Sequence, residues 1–425
     1  MKYSSLEHKV ARALDSFPFL KSLAKKTYQR INFLFYREKG FKYKLHPGVK
    51  MTSVDDWGRG VKANGGLFFG YYDKPPWSFD QHSMLLHRVT ETNKAEIIEV
   101  RRKSSSELRL LGRTHTWNWQ QGSMTQWISR NEVIFNTIVR GKLGAKVVDL
   151  ERDETSFIPW PVQTAHPNGR EMISLNYKRL HRIRPEYGYA PEVANFGPEM
   201  PFEDDGLWSV DIESKTADLM ITLADLRDYQ PRPEMKNADH KVNHAVYSPQ
   251  GGRIVFMHRW VGNEGKFSRL YVSDSEGQKL RLLMDNRMVS HYNWRDEDHL
   301  IVWGRTQEHG DHYYLINVTD GTYEIIGKGI LDKYGDGHPS YSPDGRWIVT
   351  DTYPDKARQR HLLIFDTKTE ELIELGRFFA PWKFEGPCRC DLHPRWSPDG
   401  NLISIDSAHE GNRQSYVIDV RCLVS

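Results

Sequence analysis

From about residue 66 onward, apolar and polar positions alternate in short runs, each bounded by Gly, Pro, Asn or Asp. Period-two alternation over a few residues predicts half-buried strands, and the punctuation predicts tight turns between them. The runs recur as units. They read His82 to Val89 and Glu96 to Val100; Val133 to Ile138 and Lys146 to Leu150; and Glu171 to Tyr177 and Leu207 to Ile212. Further on come Arg253 to Trp260 and Arg269 to Ser273, then Leu300 to Arg305 and Tyr313 to Val318. The last two units open on near-copies, Asp336-Gly-His-Pro-Ser-Tyr-Ser-Pro-Asp-Gly and Asp391-Leu-His-Pro-Arg-Trp-Ser-Pro-Asp-Gly, with Tyr247-Ser-Pro-Gln-Gly251 a looser relative in the fourth. Pro presets φ for the turn and Gly supplies the position that needs φ > 0. Seven units of about 40–55 residues, each with three or four short strands, predict an all-β, seven-bladed β-propeller. The last unit ends just after its third strand, Ser415 to Val420, so an outer strand from residues 48–65 is expected to close the ring. The expected organisation is a helical leader over residues 1–47 and a propeller over 48–425.

The leader follows a different period. Residues 5–15 and 18–37 read as helices, and in the second Leu20, Leu23, Ala24, Thr27, Tyr28, Ile31, Leu34 and Phe35 form one apolar stripe at spacings of three and four. Residues 1–50 hold twelve Lys/Arg against three Asp/Glu, a charge of +9, which leaves −6 of the chain's net +3 for the remaining 375 residues. A basic amphipathic helix of this kind suits the surface of an anionic membrane, and residues 18–44 are the candidate contact; packing against the propeller is the alternative. No apolar run is long enough to span a bilayer and no secretory signal precedes the repeats, so the expected location is cytoplasmic, peripheral at the inner face of the cytoplasmic membrane. An acidic body argues against nucleic acid as a partner. Three cysteines are too few for a disulfide framework and are expected as reduced thiols.

Candidate chemistry comes from reading the blades in register. Three residues before the aromatic at the end of each first strand (Ala165 takes its place in blade three) stand Lys74, Met124, Val162, His244, His291, His338 and His393. Four consecutive blades thus place a histidine where inner strands converge on the central channel. Imidazoles there suit Mn, Fe, Ni or Zn, with Asp336 and Asp391 placed to ligate or orient the rings. The alternative is that each histidine caps a strand start. The ends of the second strands share that face and offer Asn176, Tyr177, His258, Arg259, Arg305, Asp351, Tyr353, Asp406 and His409. Blade three adds a long insertion, Lys178 to Asp205, with Arg179, Arg182 and Arg184 among aromatics. Guanidinium groups bind carboxylates in a bidentate manner and aromatic faces stack on sugars, so an acidic carbohydrate is the expected ligand. Phosphate-loop, dinucleotide and nucleophile-elbow motifs are absent.

Repeats ending in aromatic-Ser-Pro-Asp-Gly before an apolar strand resemble TolB-type propeller repeats, over about residues 66–420. With histidines ahead of that motif, the chain resembles the oligogalacturonate lyases, seven-bladed propellers that hold a metal mainly through channel histidines. The resemblance implies His244, His291, His338 and His393 as ligands of a divalent metal, manganese above all, with a glutamine that Gln121 or Gln359 could supply. It implies β-elimination on a uronate, with Arg259 and Arg305 at the substrate carboxylate and His258 or an unengaged channel histidine as base. Arg179, Arg182, Arg184, Asn176, Tyr177, Asp351, Tyr353, Asp406 and His409 would then contact the glycan. Two other readings remain open: a non-catalytic glycan- or protein-binding propeller in cell-surface polysaccharide assembly, and a glycosyltransferase or hydrolase acting on lipid-linked glycan.

Overall fold

The computed structural model describes residues 18–57, 61, 64–91, 93–102, 108–189 and 199–424. The helix expected over 5–15 lies outside them. Seven antiparallel sheets stand around a central axis, as the repeat count predicts. In blades one to five the strands run outward in chain order, as in blade four: Asp239–Tyr247, Arg253–Gly262, Gly265–Asp274 and Arg281–Met284.

The Ser-Pro-Asp-Gly turn is built by its own side chains. In blade six, Ser342 Oγ accepts the Trp347 amide at 2.9 Å, the Gly345 amide donates to the Ser342 carbonyl at 2.8 Å, and Gly345 sits at φ 71°. Blade seven repeats the bonds with Ser397, Leu402 and Gly400. Alternate residues of the flanking strands then pack between blades, as Trp347, Val349 and Ile364 of blade six do against Trp396, Ile403 and Ile405 of blade seven.

Lys50–Ser53 pairs with Tyr416–Asp419 and completes blade seven, so the N-terminal side supplies the outer strand of the last blade. One pairing is absent from the sequence reading. Tyr43–Leu45, placed there in the leader, pairs with Gly376–Phe378 as a fifth strand on blade six. Three residues carry too little alternation to announce a strand, and the open edge of blade six decides it. The helix Pro18–Tyr36 precedes this strand and touches blade six through Phe33, whose ring lies 6.1 Å from Phe379 and 5.6 Å from Trp382. The insertion in blade three, expected as a loop, begins with a helix, Tyr177–Ile183, capped by the Asn176 side chain on the Arg179 amide.

Candidate functional site

All four register histidines are buried at the channel. Backbone irregularity aims them. The first two strands of blade four slip register between Asn243 and Val246, and those of blade five between Val289 and Tyr292; His244 and His291 sit within these bulges. His244 at φ 56° and His393 at φ 44° occupy the left-handed region, which L-residues adopt at a cost of about 1–3 kcal/mol when the surroundings enforce it. The His338 ring centre lies 4.2 Å from that of His291 and 4.3 Å from that of His393. His244 is set apart: its ring stacks on Tyr292 at 4.3 Å and approaches Asp73 at 3.4 Å. Tyr71 and Tyr72 of blade one pack among the four rings, 5.1 Å from His393 and 5.1 Å from His338 respectively.

Hydrogen bonds fix how three of the imidazoles face. Nδ1 of His338 meets Asp351 at 2.7 Å, Nδ1 of His393 meets the Gly70 carbonyl at 2.8 Å, and Nδ1 of His291 meets Asp336 at 2.9 Å. Each acceptor holds the proton on Nδ1, which leaves the Nε2 lone pair free. Nε2 of His338 and of His393 are buried with no hydrogen-bond partner. Buried polar atoms rarely stay unpaired, and a metal ion satisfies such a lone pair. Ligand atoms of His338, His393 and Asp391 lie within 4.8 Å of one another, a spacing that one cation can bridge. The donor set, two or three neutral imidazoles with a carboxylate, fits a divalent first-row ion.

Electrostatics favour the neutral, ligating ring at three of the four histidines and oppose it at His338. Burial pushes the His244 and His393 pKa values down and brings His291 to about 4, so these rings are neutral. At His338 burial acts the same way, but the Asp351 carboxylate outweighs it and the value rises. Asp391 is held well below the usual carboxylate range, since Arg389 and Arg360 overcome its burial.

Beside the cluster a cavity of about 570 Å³ is lined by Arg184, Lys241, Arg259, Arg287, Ser290 and Asp336, among others. Asp336 joins the cavity to His291. Over this wall Tyr187, brought in by the blade-three insertion, accepts a hydrogen bond from Arg389 at 3.1 Å and lies 4.4 Å below the Arg184 guanidinium. Burial alone raises a phenol pKa; here Arg389, Arg184 and Arg259 outweigh it and lower Tyr187 to about 8. Lys241 is buried without an ion pair among the described residues, and burial with the charges of Arg259 and Arg184 depresses its pKa well below the usual lysine value. Tyr353 stands at the mouth, 6.1 Å from His338 and 6.5 Å from His291.

Of the residues singled out in the sequence, His291, His338, His393, Asp351, Arg184, Arg259 and Tyr353 converge here. Others are elsewhere. His258 bonds His240 at 2.9 Å and packs on Trp260, because neighbouring residues on a strand point to opposite faces and Arg259 takes the cavity side. Arg305 pairs with Asp311 across an exposed hairpin, and Arg182 pairs with Asp239 and Glu199 at the surface. Arg179 is buried against Asp205 and the Met200 carbonyl. Asn176 is the helix cap, and Tyr177 donates to the Val162 carbonyl and stacks on Tyr189. Asp406 accepts from Arg395 and from the Phe69 and Gly70 amides, so it shapes the Tyr71–Tyr72 turn from behind. His409 bonds Ser407 and packs between Tyr43 and Tyr416. Gln359 bonds Glu38 and Arg377, away from the channel, while Gln121 is buried alongside Gly70. Tyr71, Tyr72, Tyr187, Lys241 and Arg389 escaped the sequence reading. Arg389 lies between Cys388 and Cys390, and its guanidinium bonds Asp391 and Tyr187.

No protein-family profile matches the chain. Among solved structures, it is similar to an oligogalacturonate lyase from Vibrio parahaemolyticus at 14% identity and a TM-score of 0.62, over 89% of this chain and 96% of that one. It is likewise similar to an oligogalacturonate lyase in complex with manganese, at 14% identity and a TM-score of 0.63, over 90% and 98% of the two chains. At this identity the likeness establishes the fold: a seven-bladed propeller that spans nearly the whole length of these lyases.

Proposed function

We propose that the protein is a divalent-metal-dependent lyase that cleaves uronate-containing oligosaccharides by β-elimination. The observation that carries this reading is the pair of buried, unpartnered Nε2 atoms of His338 and His393, beside Asp391 and near a cavity lined by Arg184, Lys241, Arg259 and Arg287. His338, His393 and Asp391 would hold the cation, with His291 adjacent. Such a cation, when bound, supplies positive charge that neutralises a substrate carboxylate. Arg259 and Lys241 line the cavity where the same carboxylate and its neighbours along the glycan would lie.

Neutralising the C6 carboxylate acidifies the C5 proton, and a base must then remove it. We assign this role to the Tyr187 phenolate in place of the expected His258, because Tyr187 packs on Tyr71 of the histidine cluster and beside Arg184 of the cavity wall. The C5 proton passes to the Tyr187 oxygen, the C5–H electron pair forms the C4–C5 double bond, the C4–O bond breaks with its pair on the departing oxygen, and that oxygen takes a proton from solvent water. Arg389 and Arg184 keep the phenol ionisable near neutrality. Incubation with polygalacturonate-derived or other uronate oligosaccharides and Mn²⁺ should generate the ultraviolet absorbance of a 4,5-unsaturated uronate. Absence of product across acidic glycans, with metal bound, would leave a glycan-binding module and refute the lyase.

A further inference from the structure

The helix Pro18–Tyr36 meets the propeller with its less apolar side. Tyr28, Gln29, Asn32 and Phe33 are the half-buried positions, and Phe33 makes the ring contacts with Phe379 and Trp382. The apolar stripe of the sequence points away: Leu23 is 53% exposed, Ile31 49%, Leu34 63% and Phe35 81%. Five of the thirteen large hydrophobic residues exposed among the described residues fall between Leu23 and Tyr36, so this is a patch and not the scatter normal on a protein surface. At 3.6 residues per turn, Lys26, Arg30 and Arg37 line one edge of the stripe. Lys25, Lys26, Arg30 and Lys39 make no ion pair among the described residues, and Glu38 is the single acid from Leu23 to Leu45. No described helix is long and apolar enough to cross a membrane.

We infer that this helix docks the protein on an anionic membrane surface, its exposed Leu23, Ile31, Leu34 and Phe35 entering the headgroup boundary and its unpaired lysines and arginines meeting lipid phosphates. Charge complementarity selects this occupant: a second copy of the chain would bring the same cations face to face, whereas anionic headgroups neutralise them. The loop that carries Tyr353 to the channel mouth also carries Lys356 to within 5.8 Å of the Tyr36 ring, so helix and mouth lie on one side of the propeller.

Sedimentation of the full chain with vesicles of phosphatidylcholine, alone or mixed with phosphatidylglycerol, tests this. Partition onto the mixed vesicles only, weakened by salt, is expected. The triple variant Lys25→Glu, Lys26→Glu, Arg30→Glu should lower partition at least about tenfold, and Leu34→Ser with Phe35→Ser should abolish it at any salt. All five residues are exposed, so unchanged thermal melting should accompany both losses. Failure to sediment with anionic vesicles overturns the inference. So does light scattering that shows a dimer dissolved by Leu34→Ser, Phe35→Ser, because a second copy then covers the stripe.

Discussion

Asp351 offers the sharpest test of how the channel is built. Its side chain is fully buried between blades six and seven, and it accepts from four donors. Oδ1 takes the His338 amide at 3.0 Å and His338 Nδ1 at 2.7 Å; Oδ2 takes the Leu392 amide at 3.1 Å and the His393 amide at 3.1 Å. In Asp351→Asn the shape survives, but one oxygen becomes an NH₂ that faces donors. Two backbone amides, or one amide and the ring, are left unsatisfied at about 1–3 kcal/mol each, so a loss of roughly 2–6 kcal/mol is expected. The ligand geometry loosens too, because the same carboxylate sets the His338 ring and the His393 backbone; removing such an orienting partner typically lowers metal affinity about 10–100-fold. Equilibrium urea denaturation reads the first effect and isothermal titration with Mn²⁺ the second. An Asp351→Asn protein that unfolds at the wild-type midpoint and binds Mn²⁺ with wild-type affinity would refute both the four-donor accounting and the role of His338 and His393 as ligands.

Two further predictions concern ionisation. Because Tyr187 is lowered to about 8, kcat/KM for uronate cleavage should rise with pH along a limb of that apparent pKa. Tyr187→Phe should remove the limb and about 10²–10⁴-fold of the rate, with KM little changed. The same depressed pKa adds stability that is present in full above the unfolded phenol's value and is lost as pH falls through about 8, so the Phe variant should differ most from wild type in alkaline melts. Thiol labelling reads the packing around Cys390: Cys388 and Cys422 are exposed, whereas Cys390 is buried with its thiol pushed up to about 11. A maleimide should modify two cysteines in the native protein and the third only after unfolding; three fast reactions would contradict the packing around Cys390.

Sequence alone determines the architecture and the histidine register, and the physical reason is locality. A Ser-Pro-Asp-Gly turn is made by residues within five positions of one another, as Ser342 and Trp347 show, and period-two alternation is a property of one strand. Seven such units admit a propeller, and the position three before the aromatic then marks the channel without further information. What depends on contacts between distant residues is a different matter. His258 and Arg259 were indistinguishable in the chain until the pleat sent one into a histidine–tryptophan stack and the other to the cavity. Tyr187 and Arg389 are some 200 positions apart and meet only when blades three and seven are in place. The helix Pro18–Tyr36 shows the division most plainly: the 3.6-residue period reveals an apolar stripe, yet whether that stripe is core or surface rests on which side Phe379 and Trp382 capture. Tertiary packing turned it outward.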